Sequence, residues 1–256
     1  GSLQKKCHWL DEVRIFPYTI YLGLPPFFTL PYAAAGRWCA FCLGWMVGMN
    51  IRSPFMEIDY PFDTARTVAF SGFRPEKLIA SAPGYDLSEI QHVLFERLRY
   101  AIRYFHSVGY NTYLTGMADG FDLLAGEAVL SLQQELRDLR LACIVPFATH
   151  GNSGSATYKA RYKSVKLCAS YYYAIGEKPY KSEFIRRNDV LLAQSSALIC
   201  YYDGVQNGGT KYTVSMAQKL GRTILNLYLG KSGAAYTHNT DEQIIHTLRN
   251  LLLPNK

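Results

Sequence analysis

The sequence predicts an α/β fold in three layers, a mostly parallel sheet with helices on both faces, preceded by an irregular apolar N-terminal extension. Two observations carry the prediction. From Thr67 onward, short apolar runs alternate six times with stretches of helical period. Each strand-helix unit is also long enough for a crossover, which parallel neighbours in one sheet require.

The elements follow in order. "RTVAF" (66–70) reads as a short buried strand, and residues 86–109 read as an amphipathic helix with Ile90, Val93, Leu94, Leu98, Ala101, Ile102 and Phe105 on one face. Ser88 with Gln91 three residues on predicts a capping box at its start, and Gly109 is placed for the turn after its end. Then come strand "NTYLT" (111–115), a helix from about Phe121, strand "RLACIVPF" (140–147) and a helix around 157–167. Strand "SYYYAI" (170–175) leads to a helix around 182–193, strand "ALICYYD" (197–203) and a helix at 211–220. Strand "TILNLY" (223–228) and a helix at 241–252 complete the series.

In such a sheet ligands sit beyond the carboxyl ends of the strands, and three of those ends are rich in glycine. Ser71 and Gly72 close the first strand and Arg74 follows, a guanidinium fork suited to a phosphate. After the second strand, Gly116, Asp119, Gly120 and Asp122 lead into a helix whose Ala125, Gly126 and Ala128 allow close packing on the sheet. After the fifth, Asp203 and then Gly208, Gly209 and Thr210 open a helix whose free N–H groups and hydroxyl share one edge. Asn188, in "FIRRNDVLLAQSSA", is expected in the pocket, with one of Arg186 and Arg187 a surface charge.

Charge points the same way. The chain of 256 residues has 27 Lys and Arg against 20 Asp and Glu, a formal net charge of +7. Between Ser153 and Arg222 there are eleven basic residues and four acidic ones, so the whole excess lies in that stretch, as either a set of solvated helix faces or an anion-binding side. The six cysteines show no disulfide spacing, and Cys143 and Cys200 fall in strand runs, as expected of reduced thiols in a cytoplasmic protein.

Four stretches together, "FSGFRPEKL", "GMADGFDLLAGEAV", "RRNDVLLAQSSALICYYDG" and "GGTKYTVSMA", resemble the YpsA-like family of the SLOG superfamily, which also holds the DprA and Lonely-guy proteins. The resemblance covers roughly residues 66–229 and implies a Rossmann-like domain, here 65–256, that binds a nucleotide or nucleotide-derived ligand such as NAD, ADP-ribose or AMP. Lonely-guy enzymes cleave the bond between base and ribose phosphate with a glutamate in their glycine-rich turn. Aligning that turn on Gly209-Thr210 puts Thr213 at the glutamate's place. Hydrolysis, if it occurs, then falls to Asp119, Asp122 or Glu127, while Asp119 and Asp122 also suit a ribose diol.

No such resemblance covers residues 1–64, an extension of unknown role. The apolar residues 30–49 hold Gly44 and Gly48 in GxxxG register and are expected to pack on protein, whether this chain or a second copy, rather than to contact a membrane. Cys39 and Cys42, with Cys7 and His8 upstream, make a weak zinc pattern, and no metal is expected.

The expected function is binding of a nucleotide-type ligand, as sensor or processing protein, through Ser71, Gly72, Arg74, Gly116, Asp119, Gly120, Asn188, Asp203, Gly208, Gly209, Thr210 and Thr213. The alternatives are an N-glycosidic hydrolase using Asp122 or Glu127, or a single-stranded nucleic-acid module. For the latter, Tyr158, Tyr162, Tyr171, Tyr172, Tyr173 and Tyr180 would interleave with the basic residues, although at least half of these tyrosines are expected in the core.

Overall fold

A continuous apolar run is what a strand covered on both faces requires, and the third strand shows it best: in Arg140–Phe147 every residue after Arg140 is buried. The computed structural model of the protein describes residues 59–228 and 237–250. Its six strands are β1 (Thr67–Ser71), β2 (Thr112–Thr115), β3 (Arg140–Phe147), β4 (Tyr171–Gly176), β5 (Ala197–Cys200) and β6 (Thr223–Asn226). They form one sheet in the order β4-β3-β2-β1-β5-β6, and every neighbouring pair is parallel.

Among the described residues the helices are α1 (Pro75–Ser81), α2 (Leu87–Ser107), α3 (Phe121–Leu132), α4 (Ala156–Cys168), α5 (Lys181–Ala193), α6 (Gly209–Lys219) and α7 (Glu242–Asn250). The crossovers from β1 to β4 run one way along the sheet, so α2, α3 and α4 pack in succession on one face. The chain then returns past β1, and α5 and α6 pack together on the other face. Three layers result, as the sequence predicts. The protein core lies on both sides of Val68, Ala69 and Phe70, with Phe70 stacked on Tyr113 at 5.8 Å.

Three local details differ from the sequence reading. Helix α1 is not among the predicted elements: seven residues long, it buries only Leu78, too little for a period to show. Helix α2 starts earlier, because Asp86 and Glu89 make the capping box instead of Ser88 and Gln91; Asp86 Oδ1 accepts from the Glu89 amide and Glu89 Oε2 from the Asp86 amide, both at 2.9 Å. On its apolar face Val93 is half-buried while Arg97 is buried, donating to the Leu227 carbonyl at 2.8 Å.

The tyrosines of 158–173 are mostly committed to packing. Tyr158 and Tyr162 are buried, and Tyr171 and Tyr173 lie edge-on to Phe62 and Tyr60 along the outer strand β4. Only Tyr180 of the six is well exposed, at 59%. The apolar stretch 30–49 and the Cys7, His8, Cys39 and Cys42 pattern lie outside the described residues. Among the described residues, no helix is long and apolar enough to cross a membrane, and no cluster of His, Cys, Asp and Glu could hold a metal ion.

Candidate functional site

The strand order reverses between β1 and β5, and a cleft opens there beyond their carboxyl ends. Its volume is about 370 Å³. Seven residues singled out in the sequence line it: Ser71, Gly72, Arg74, Asp122, Asn188, Gly209 and Thr210. Phe73, Glu76, Lys77, Ala118, Phe184 and Arg187 line it too, and the sequence reading assigned none of these to the site. Glu76 and Lys77 arrive on α1, the helix with too little periodicity to predict. Arg187 stands one turn before the buried Leu191, a spacing that separates it from Arg186.

On the β1 and β2 side the glycines make room for the protein itself. A Cβ on Gly72 would fall 2.3 Å from the Phe121 ring, and one on Gly116 would collide with the Arg187 guanidinium. Gly120 holds a φ of +96°, and a Cβ there would stand 2.5 Å from the Phe73 carbonyl oxygen, which accepts the Phe121 amide. These contacts bring the loops after β1 and β2 together on the start of α3. Met117, a non-glycine residue at φ +57°, is held there by its amide bond to Thr115 Oγ1 and by the Tyr158 hydroxyl on its carbonyl, at 3.2 and 3.0 Å.

Asp122 and Arg187 form the hub of this side. Asp122 Oδ1 accepts the Gly72 amide at 3.0 Å, and its Oδ2 lies 3.9 Å from Arg187 Nη1. Both side chains are about 7% exposed. Burial pushes the Asp122 carboxyl above the usual carboxylate range, opposed by the Arg187 charge, the Gly72 and Ala118 amides and Arg74. Burial likewise lowers the pKa of Arg187. Arg187 donates to the Gly116 carbonyl and, from Nε, to Asn188 Oδ1 at 2.8 Å. That second bond leaves Asn188 Nδ2 as a donor in the cleft wall, without an acceptor among the described residues. His150, whose ring meets Phe147, Phe184 and Tyr162 edge-on, has its pKa lowered to about 4 by burial and by the charges of Arg187 and Arg74.

The β5 side is built differently. Asp203 Oδ1 accepts the amides of Val205 and Gln206 at 2.9 and 3.0 Å, closing a turn that delivers Asn207 and Gly208 to α6. The carbonyl of Asn207 receives Lys77 Nζ at 2.6 Å. Gly208, at φ +143°, precedes α6, and a Cβ on it would stand 3.1 Å from that ammonium. The amides of Gly209, Thr210 and Lys211 donate to nothing among the described residues. Thr210 ties the two sides by donating its hydroxyl to the Gly72 carbonyl at 2.9 Å.

The remaining expected residues lie outside the cleft lining. Glu127 is held by Arg161 in two bonds of 2.7 and 2.6 Å between α3 and α4. Asp119 caps the amide of Gly120 at 2.9 Å. Thr213 is fully buried and turns its hydroxyl back onto the Gly209 carbonyl at 2.9 Å. Gly116, Gly120, Asp203 and Gly208 shape the walls from behind.

The UPF0398 protein YpsA of Bacillus subtilis (strain 168) is 32% identical over 102 residues, covering 39% of this chain and 57% of that protein. A UPF0398 protein of Bacillus velezensis is 28% identical over 157 residues, covering 60% of this chain and 84% of its own. The chain thus spans little more than half of the first relative's length. DNA processing protein A from Helicobacter pylori, solved for its single-stranded DNA binding mode, is 19% identical with a TM-score of 0.47, over 73% of this chain and 82% of that one. The same protein from Streptococcus pneumoniae gives 15% identity and a TM-score of 0.47, over 72% and 61%. The family model described as the YspA SLOG family matches residues 68–226, from the second residue of β1 to the end of β6, and the chain belongs to that family.

Proposed function

We propose that the cleft binds a nucleotide or nucleotide-derived ligand, with a phosphate at the N-terminus of α6. The observation that carries this reading is the convergence there of three amides, unpaired among the described residues, with the Asn188 Nδ2 donor of a residue only 7% exposed. Unpaired helix N-terminal amides and the helix dipole both favour an anion. Arg74 and Lys77 line the same cleft and add positive charge to it. Glu76, a cleft carboxylate without a partner among the described residues, offers two acceptors to a ribose diol. Phe184 supplies an apolar face for a base. A cleft of about 370 Å³ is at the small end for ligand sites, which favours one nucleotide, such as AMP, over the whole of NAD.

The proposed activity is binding, with no bond cleaved. Asp119 is bonded to the Gly120 amide, Asp122 to the Gly72 amide and Glu127 to Arg161, so each carboxylate expected to transfer a proton is already engaged, and Thr213, bonded to its own helix, offers no carboxylate.

Native mass spectrometry and thermal unfolding with AMP, ADP-ribose, NAD and a single-stranded oligonucleotide test the reading. Ligand at 100 times its dissociation constant is expected to add about 2.7 kcal/mol of stability. Response to the oligonucleotide alone overturns it, and rapid release of free base from AMP makes the protein a hydrolase.

A further inference from the structure

We propose that Lys77 is the cation that reads the phosphate in this cleft, and that Asp203 is a positioning residue that sets Lys77 without touching the ligand. The proposal rests on the nucleotide reading above and names the group that makes the site selective for a phosphorylated ligand.

The cleft holds three cationic side chains, and their states differ. Arg187 is committed to the Gly116 carbonyl, Asn188 Oδ1 and Asp122. Arg74 is exposed and makes no side-chain bond as the residue before α1. Lys77 is half-buried and fixed: its ammonium donates to the Asn207 carbonyl at 2.6 Å and stands 5.7 Å from the centre of the Phe73 ring. One of its three N–H groups is used there, and two remain for a ligand. The ammonium also lies beside Gly208, at the entrance to the unpaired amides of α6.

What fixes Lys77 is the turn before α6. Asp203 accepts two backbone amides through Oδ1 and the Gln206 side-chain amide through Oδ2, at 3.1 Å. From the other end, Lys211 Nζ donates to Asn207 Oδ1 at 2.9 Å. The Asn207 carbonyl is therefore aimed before any ligand arrives. A flexible lysine loses much rotamer freedom when it binds an anion, and here the fold has already removed part of that freedom. Glycine at 208 belongs to the same device, since a side chain there would press on the ammonium.

Calorimetry with AMP and adenosine on the full chain tests the proposal. Lys77→Ala is expected to weaken AMP about tenfold or more, the scale of a charge-assisted contact, and to leave adenosine within about twofold. Arg74→Ala should cost AMP less than Lys77→Ala. Asp203→Ala should weaken AMP but not adenosine, Asp203→Asn should recover most of the loss through its remaining Oδ1, and Asp203→Ala should add nothing in a Lys77→Ala background. Equal losses for AMP and adenosine, additive losses in the double variant, or a larger effect at Arg74 overturn the proposal while the nucleotide reading stands. If the wild type binds neither compound, the nucleotide reading falls and this proposal with it.

Discussion

The two walls of the cleft use the same residue type for opposite ends. After β1 and β2, the space left by Gly72, Gly116 and Gly120 is filled by Phe121, Arg187 and the Phe73 carbonyl. After β5, a Cβ on Gly209 would meet nothing nearer than Asn188 Nδ2 at 3.6 Å, and the amides at the start of α6 have no partner among the described residues. One wall is closed against itself; the other leaves its helix amides without a partner among the described residues. A glycine at a strand end thus marks close approach, and only the structure shows whether another part of the protein does the approaching.

The largest expected effect is on the closed wall. Asp122→Ala leaves Arg187 buried without its counter-charge and Gly72 without its acceptor, and should cost about 3–5 kcal/mol in chemical denaturation. A loss below about 1 kcal/mol would show that this wall does not hang on the pair. Acid probes the same wall through His150. Its folded pKa of about 4 lies below the ordinary 6.5, so the unfolded chain takes up a proton that the folded one refuses. The contribution is fully present above pH 6.5 and is lost as pH falls toward 4, amounting to at most about 3 kcal/mol. His150→Phe should flatten the stability profile in that window.

A pair of alanine variants sets the two walls directly against each other. Gly72→Ala meets the Phe121 ring and should destabilise by about 1–3 kcal/mol, whereas Gly209→Ala meets only ordinary contact and should stay within about 0.5 kcal/mol. Equal costs would erase the distinction. The smallest effect is expected at Glu76: Glu76→Gln should change stability by less than about 0.5 kcal/mol while narrowing the preference for AMP over its 2′-deoxy form. A preference unchanged by the substitution removes Glu76 from ribose recognition.

The sheet was legible because buried parallel strands are short unbroken apolar runs, and Arg140–Phe147 begins and ends where that run does. The open wall was legible as well, since a glycine pair followed by threonine ahead of a helical stretch announces a helix start. What escaped was whatever depends on phase or on length. Helix α1 has one buried residue and so no period, which hid Glu76 and Lys77. "DLSEIQ" offers two overlapping capping boxes, and the helix uses the first, Asp86 with Glu89. Arg186 and Arg187 differ only by 100° around α5, and the half-buried Arg186 pairs with Glu183 while the buried Arg187 turns in to Asp122. The occupants of the glycine gaps come from segments distant in the chain: Arg187 lies 71 residues from the Gly116 carbonyl that it bonds.

The position of β5 next to β1 also orders events during synthesis. Strands β1 to β4 leave the ribosome before Ala197, and until β5 arrives β1 is the outer strand of a partial sheet, presenting Val68, Ala69 and Phe70 on an unpaired edge. The hydroxyl bond from Thr210 to Gly72 closes a loop of 138 residues, so the cleft is among the last features to form and contributes to slow, non-local folding. A ligand held by both walls has no partial structure to bind, and it would select only chains that have been completed through α6.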